Sequence, residues 1–164
     1  MRVSKQFEQA IYIVILLAVQ SNDDPVKTSL LAEFLDTSET YLQKTMRSLA
    51  KANLITSHVT RNGGFSIGPN FEEITAKDIF LAVDSLPNFD VSKQAQKLFI
   101  LESPDEDRNA TFNKYIENTE NELQLNLENA NDAFLEKLEK IKIIDLIPKD
   151  ENGSITKHQW LKGL

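Results

Sequence analysis

The side chains best placed for chemistry in this chain of 164 residues bind; they do not make or break bonds. Between Ser38 and Lys51, the residues Thr40, Gln43, Lys44, Arg47 and Lys51 fall on one side of a helical repeat, with Tyr41 at its leading end. Leu42, Met46 and Leu49, spaced four and three apart, fall on the other. Hydroxyl and amide groups at the leading end of such a helix can meet the edges of bases. Lysine and arginine farther along it can meet phosphates. Ser38 is a helix-capping residue just before the run.

Composition removes most competing chemistries. There is no cysteine, so no disulfide, thiolate nucleophile, cysteine-held metal or iron–sulfur cluster can form. Two histidines, His58 and His158, do not supply a histidine-rich zinc site. No Ser/His/Asp set, phosphate-cradling glycine loop or paired carboxylates stand out, so no enzyme and no metal site is expected. The net charge of −7 is uneven: residues 1–68 carry about +1 and residues 69–164 about −8. An acidic total argues against indiscriminate coating of nucleic acid and leaves room for a local basic face.

Several elements must position that face. Ser4 caps a first helix to about Gln20 that contains the apolar run Ala10–Val19. Ten residues are far short of the ~20 that span a membrane. Glu8 interrupts any basic leader, and polar residues follow, so the run reads as a buried helix of a cytoplasmic protein. Thr28 caps a short helix with Leu30, Leu31, Phe34 and Leu35 apolar, Asp36-Thr37 ends it, and the helix from Ser38 follows. Residues 54–59 read as a strand, Asn62-Gly63-Gly64 as a turn and Phe65-Ser66-Ile67 as the returning strand. Thr75 then caps a helix to about Ser85, and residues 91–101 contain a short helix.

From about Asp107 to Lys142 one long helix is expected. Its seam includes Phe112, Tyr115, Ile116, Leu123, Leu127, Ala130, Phe134, Leu138 and Ile141. A helix of some 30 residues is about 45 Å long. Such a seam calls for a partner: the same helix of a second subunit, an intrachain bundle with Ala10–Val19, or both. Asp150-Glu151-Asn152-Gly153-Ser154 imitates the middle of a calcium loop, but Pro148 and Gln159 occupy its end positions, so a plain turn is expected.

Three helices and a hairpin, in this order, form a winged helix-turn-helix. The expected class is mainly α with a small β-hairpin wing (α+β), plus a long dimerisation helix. In such folds the third helix enters the major groove. The candidate DNA-binding residues are Ser38, Thr40, Tyr41, Gln43, Lys44, Arg47 and Lys51, with Arg61 and Asn62 at the wing tip. Residues 1–85 would form the DNA-binding domain, and residues 86–164 the connecting segment, long helix and tail.

The chain resembles the Rrf-two family of winged-helix regulators. The resemblance begins at Met1-Arg2-Val3-Ser4. Thr37–Gln43 is similar to the family's S-x-x-Y-L-[EQ], and Leu49–Ile55 to L-x-x-A-G-L-V. Gly63–Ile67 is similar to G-G-[YF]-x-L, and Glu73–Asp84 to I-T-x-x-D-I…A-V-[ED]. The match is specific to about Asp84 and weaker beyond, where Lys142–Ile147 resembles a closing L-x-D-L segment. The resemblance implies a homodimeric regulator, expected here as a repressor of an inverted-repeat operator on double-stranded DNA, with the long helix as dimer interface. Two departures stand out. The stretch Leu86–Arg108 lacks the three cysteines that hold a cluster in many members, which excludes cluster sensing. Val59 and Thr60 take the place of the wing's opening arginine, and Arg61 comes two positions later.

Two further readings compete. A winged-helix module that binds protein and no longer DNA is favoured by the pI of about 4.9 and the displaced arginine, and opposed by the basic face from Lys44 to Lys51. The first helix, the helix from Ala76 and the long helix could also enclose an apolar pocket for a small-molecule effector, which no polar set identifies.

Overall fold

The Ser4 hydroxyl accepts from the Phe7 amide at 3.2 Å and opens helix α1, Lys5–Ala18. The computed structural model describes residues 3–21, 24–59, 63–91 and 106–157. Helices α2 (Thr28–Phe34) and α3 (Glu39–Lys51) follow. Strands β1 (Ile55–His58) and β2 (Gly64–Ile67), helix α4 (Ala76–Val83) and helix α5 (Glu106–Glu139) complete the order. Short 3-10 turns occupy Phe71–Glu73 and Ile143–Leu146. The class is the expected one: among the described residues, five helices and one antiparallel hairpin. Lys27, not Thr28, holds the cap position of α2. The expected short helix in residues 91–101, the wing-tip residues Arg61 and Asn62, and His158 lie wholly or largely outside the described residues.

The chain divides into two compact units, Met1–Ser85 with Glu136–Leu164, and Leu86–Leu135. The tail expected to go with the long helix thus belongs to the first unit. There the core gathers Ile13 and Val14 of α1, Leu31 of α2, Leu42, Met46 and Leu49 of α3, and Ile79 and Phe80 of α4, all essentially buried. Phe7 and Phe80 meet edge to face with ring centres 5.5 Å apart, a favoured aromatic geometry. Thr45 shares the inward face of α3, as its spacing from Leu42 and Leu49 requires. Of the apolar run of α1, Ala10, Ile13, Val14, Leu17 and Ala18 are buried, Ile11, Ile15, Leu16 and Val19 half-buried, and Tyr12 emerges.

A backbone splice brings the tail home. The Ala76 amide donates to the Ile141 carbonyl, and the Ile143 amide to the Ile74 carbonyl, each at 2.9 Å. This seats Ile143 in the core with no exposed surface. Two exposed ion pairs, Lys77–Glu139 at 3.0 Å and Lys142–Glu73 at 2.9 Å, flank the splice and add little by themselves. Farther on, Asp150 Oδ1 accepts from the Asn152 and Ser154 amides, each at 2.9 Å, a local turn of the expected kind.

In the second unit, residues 87–91 run along α5. Asn131 Nδ2 donates to the Pro87 carbonyl at 3.1 Å, and Gln124 Oε1 accepts from the Val91 amide at 3.2 Å. At 34 residues, α5 is about 50 Å long. Its seam is unevenly covered. Ile116 is buried, and Phe112, Leu127, Phe134 and Leu138 are half-buried. Tyr115 and Leu123 stand 68% and 50% exposed.

Asp84 ties the beginning of α1 to the end of α4. Its carboxylate accepts from the Ser4 amide at 3.3 Å and from the Ser85 amide at 2.9 Å. The Ser4 hydroxyl beside it, aided by the Ser85 and Ser4 amides, holds its pKa below the usual 3.8 against a burial penalty. A depressed carboxylate pKa stabilises the fold above the unfolded value, and the contribution is lost as pH falls through the folded value. Asp84→Ala is therefore expected to lower the melting midpoint by about 2–4 °C near neutral pH, the effect of roughly 1 kcal/mol in a chain of this size. The gap between variant and parent should close below the usual carboxylate pKa; thermal unfolding across acid pH checks both.

Candidate nucleic-acid interface

The surface in question is the outer side of α3, and its orientation is set at both ends by the backbone. At the end of α2 the Thr37 amide donates to the Ala32 carbonyl at 2.9 Å and the Asp36 amide to the Glu33 carbonyl at 3.2 Å. Asp36 takes a left-handed φ of 46°. At the end of α3 the pattern recurs: Leu54 amide to Leu49 carbonyl and Asn53 amide to Ala50 carbonyl, each at 3.0 Å. There Asn53 has φ 59°. These are paired helix-ending hydrogen bonds that require one left-handed residue, usually glycine. Short polar Asp and Asn tolerate that conformation better than other side-chain-bearing residues. The first stop turns the chain from α2 into α3, and the second turns α3 into the wing.

Between these stops Ser38 caps α3, accepting from the Tyr41 amide at 3.3 Å. Leu42, Met46 and Leu49 are buried, which forces the opposite side outward. Ser38, Thr40, Gln43, Lys44, Arg47 and Lys51 are all exposed, and Tyr41 is 41% exposed. The leading end therefore presents two hydroxyls, a phenol and an amide, and three cations follow. Glu39 in the first turn complements the helix dipole and is the one acidic group of this face. Among the described residues, none of the three cations is held in an ion pair. Their charge is available to a ligand.

The wing pairs Ile55 with Ile67 and His58 with Gly64, in antiparallel register. It has a third, one-residue edge that local patterns do not reveal. Val26 exchanges both backbone hydrogen bonds with Phe65, each at 2.8 Å. The approach is so close that a Cβ on Gly64 would lie 2.5 Å from the Val26 carbonyl oxygen. This pairing brings exposed Lys27, just before α2, beside the wing. Sequence reasoning passed over Lys27 because the signal is a long-range bridge, not a spacing.

The model of the Rrf2 family, described as an iron-dependent transcriptional regulator, matches residues 3–149. A relative in Lactococcus lactis that bears the name HTH-type transcriptional regulator YffB is 28% identical over 129 residues, 79% of this chain and 83% of the relative. Among solved structures, CymR (YrzC), the global cysteine regulator of B. subtilis, superposes with a TM-score of 0.56 at 21% identity, covering 89% of this chain and 95% of that one. IscR of T. potens gives 0.56 at 20% identity, covering 89% and 85%. These likenesses carry the fold. Among the described residues, no donor set fits the iron in the family's description. The chain has no cysteine, His58 is engaged with Ser66 at 2.8 Å, and among the described residues no three His, Asp or Glu side chains converge.

The left-handed stop after α3 is testable by substitution. Asn53→Gly is expected to hold or raise stability. Asn53→Val should lower it by about 1–2 kcal/mol, since a β-branched residue strains there. Denaturant unfolding of both variants checks the ordering.

Proposed function

The chain belongs to the Rrf2 family of transcriptional regulators and is not an enzyme; from that premise we propose that it is a homodimeric, sequence-specific repressor that reads an inverted-repeat operator without an iron–sulfur cluster. The observation that carries this is the outer face of α3, with Thr40, Tyr41 and Gln43 leading and Lys44, Arg47 and Lys51 following, all presented outward. In a winged helix that face lies in the major groove. Gln43 suits a bidentate contact to adenine, and Lys51 a phosphate. Lys27 adds charge beside the wing. Repression follows from occupancy, since a dimer lying across an operator blocks it without further contacts. Such a reader works in the cytoplasm with the DNA, and among the described residues no helix is long and apolar enough to cross a membrane.

The dimer reading rests on α5. An exposed Tyr115 and Leu123 on a helix of this length leave apolar surface that a second copy would cover. Two-fold symmetry then presents two α3 helices to half-sites about one helical turn apart.

The decisive experiment is selection of bound duplexes from a random DNA library by the purified protein. An enriched inverted repeat is expected. Absence of enrichment by folded dimer would instead favour a protein-binding module. On the selected operator, Gln43→Ala should relax the preference at one base position by about 1–3 kcal/mol. Lys51→Ala should weaken binding evenly and reduce the salt slope by about one. Unchanged base preference in Gln43→Ala removes that residue from the reading set. Independently, Leu123→Glu places a charge in the proposed dimer seam and should shift the protein towards monomer in sedimentation.

A further inference from the structure

Beside the wing, within the first unit, lies a cavity of about 270 Å³. It is not the helix-enclosed pocket that the sequence suggested: the end of α1, the wing and the tail line it. Its apolar wall is Leu17, Val26 and Phe65, the first two buried. Its polar lining is Gln20, Asp24, His58, Ser66 and Lys157. His58 Nε2 and Ser66 Oγ are 2.8 Å apart, which fixes the imidazole against the wall. Asp24 and Lys157 are exposed and stand at the rim.

We propose that this cavity binds a free α-amino acid with a branched apolar side chain. The size limits the occupant to a small molecule: 270 Å³ is the liquid volume of about nine waters and falls just under the range of drug-sized pockets. The charges then select among small molecules. A simple anion would meet the opposition of Asp24, and a simple cation that of Lys157. An uncharged apolar ligand would satisfy the wall and desolvate the polar groups without repayment. A zwitterion answers all of them. Its carboxylate faces Lys157 and His58, its ammonium faces Asp24, and its side chain lies on Leu17, Val26 and Phe65. A carboxylate accepts at four lone-pair sites, so Asp24 retains capacity for the ammonium alongside its other interactions. Since His58, Phe65 and Ser66 also build the wing, occupancy is felt at the hairpin.

Calorimetric titration and thermal shift of the whole chain, without DNA, test this with L-leucine, L-isoleucine, glycine, isocaproate and isoamylamine. The last two are leucine without its ammonium and without its carboxylate. L-leucine or L-isoleucine is expected to bind, and each other probe at least about tenfold more weakly. Asp24→Asn and Lys157→Gln should each weaken that binding about tenfold while leaving the ligand-free melting midpoint unchanged. The proposal is overturned if neither branched amino acid binds at up to about 10 mM. It is also overturned if isocaproate or isoamylamine binds as tightly, or if both variants bind like the parent. Because no DNA enters the measurement, a failed operator selection leaves this result standing, and the reverse holds too.

Discussion

Helix α3 stands between two left-handed residues, and the surrounding parts of the first unit are arranged around that constraint. A helix can leave the chain direction sharply only where one residue accepts a positive φ and the last carbonyls find partners. Asp36 does this before α3 and Asn53 does it after, each inside a pair of backbone hydrogen bonds. With both directions set, burial of Leu42, Met46 and Leu49 determines the rotation of the helix about its axis. The outward residues are then a consequence, not an independent choice. Asn53 stands where the family pattern has glycine, and the tolerance of asparagine for the left-handed region explains how the stop survives that exchange.

The wing is the second dependent element. A two-stranded hairpin alone is marginal in water. Here Val26 adds a third edge, and the absence of a side chain on Gly64 permits the approach. The same bridge places the start of α2 against the wing, so the two are one hydrogen-bonded piece. The tail contributes a third tie. Its two backbone hydrogen bonds to residues 74–76 bury Ile143, which converts the end of the long helix into part of the first unit's core.

Charge separates the two parts of the chain by role. The near-neutral N-terminal part exposes three of its seven cations, Lys44, Arg47 and Lys51, on one helix face, and the acidic remainder keeps the net charge negative. A negative net charge opposes indiscriminate association with phosphate. The missing cysteines act in the same direction: whatever signal reaches this protein does not arrive through a thiolate-held cluster.

Much of this was legible in the chain itself, because the signals are local. Ser4, Ser38 and Thr75 announce three helix starts by capping chemistry, and each hydroxyl does accept from the amide three residues on. The spacing of Leu42, Met46 and Leu49 determines which side of α3 is buried, hence which residues face out. Boundaries drifted by a residue or two, as at Lys27, because ends depend on hydrogen bonds that spacing does not encode. Other features needed the folded chain. The Val26–Phe65 bridge, the seat of Ile143 beneath residues 74–76, the Ser4–Asp84 tie and the cavity beside His58 join residues tens of positions apart. No local pattern carries them. The sequence determined the elements and their inward faces, since those follow from periodicity and capping within a few residues. Only the tertiary structure decided which edges meet and what space they enclose, since that depends on the simultaneous packing of all of them.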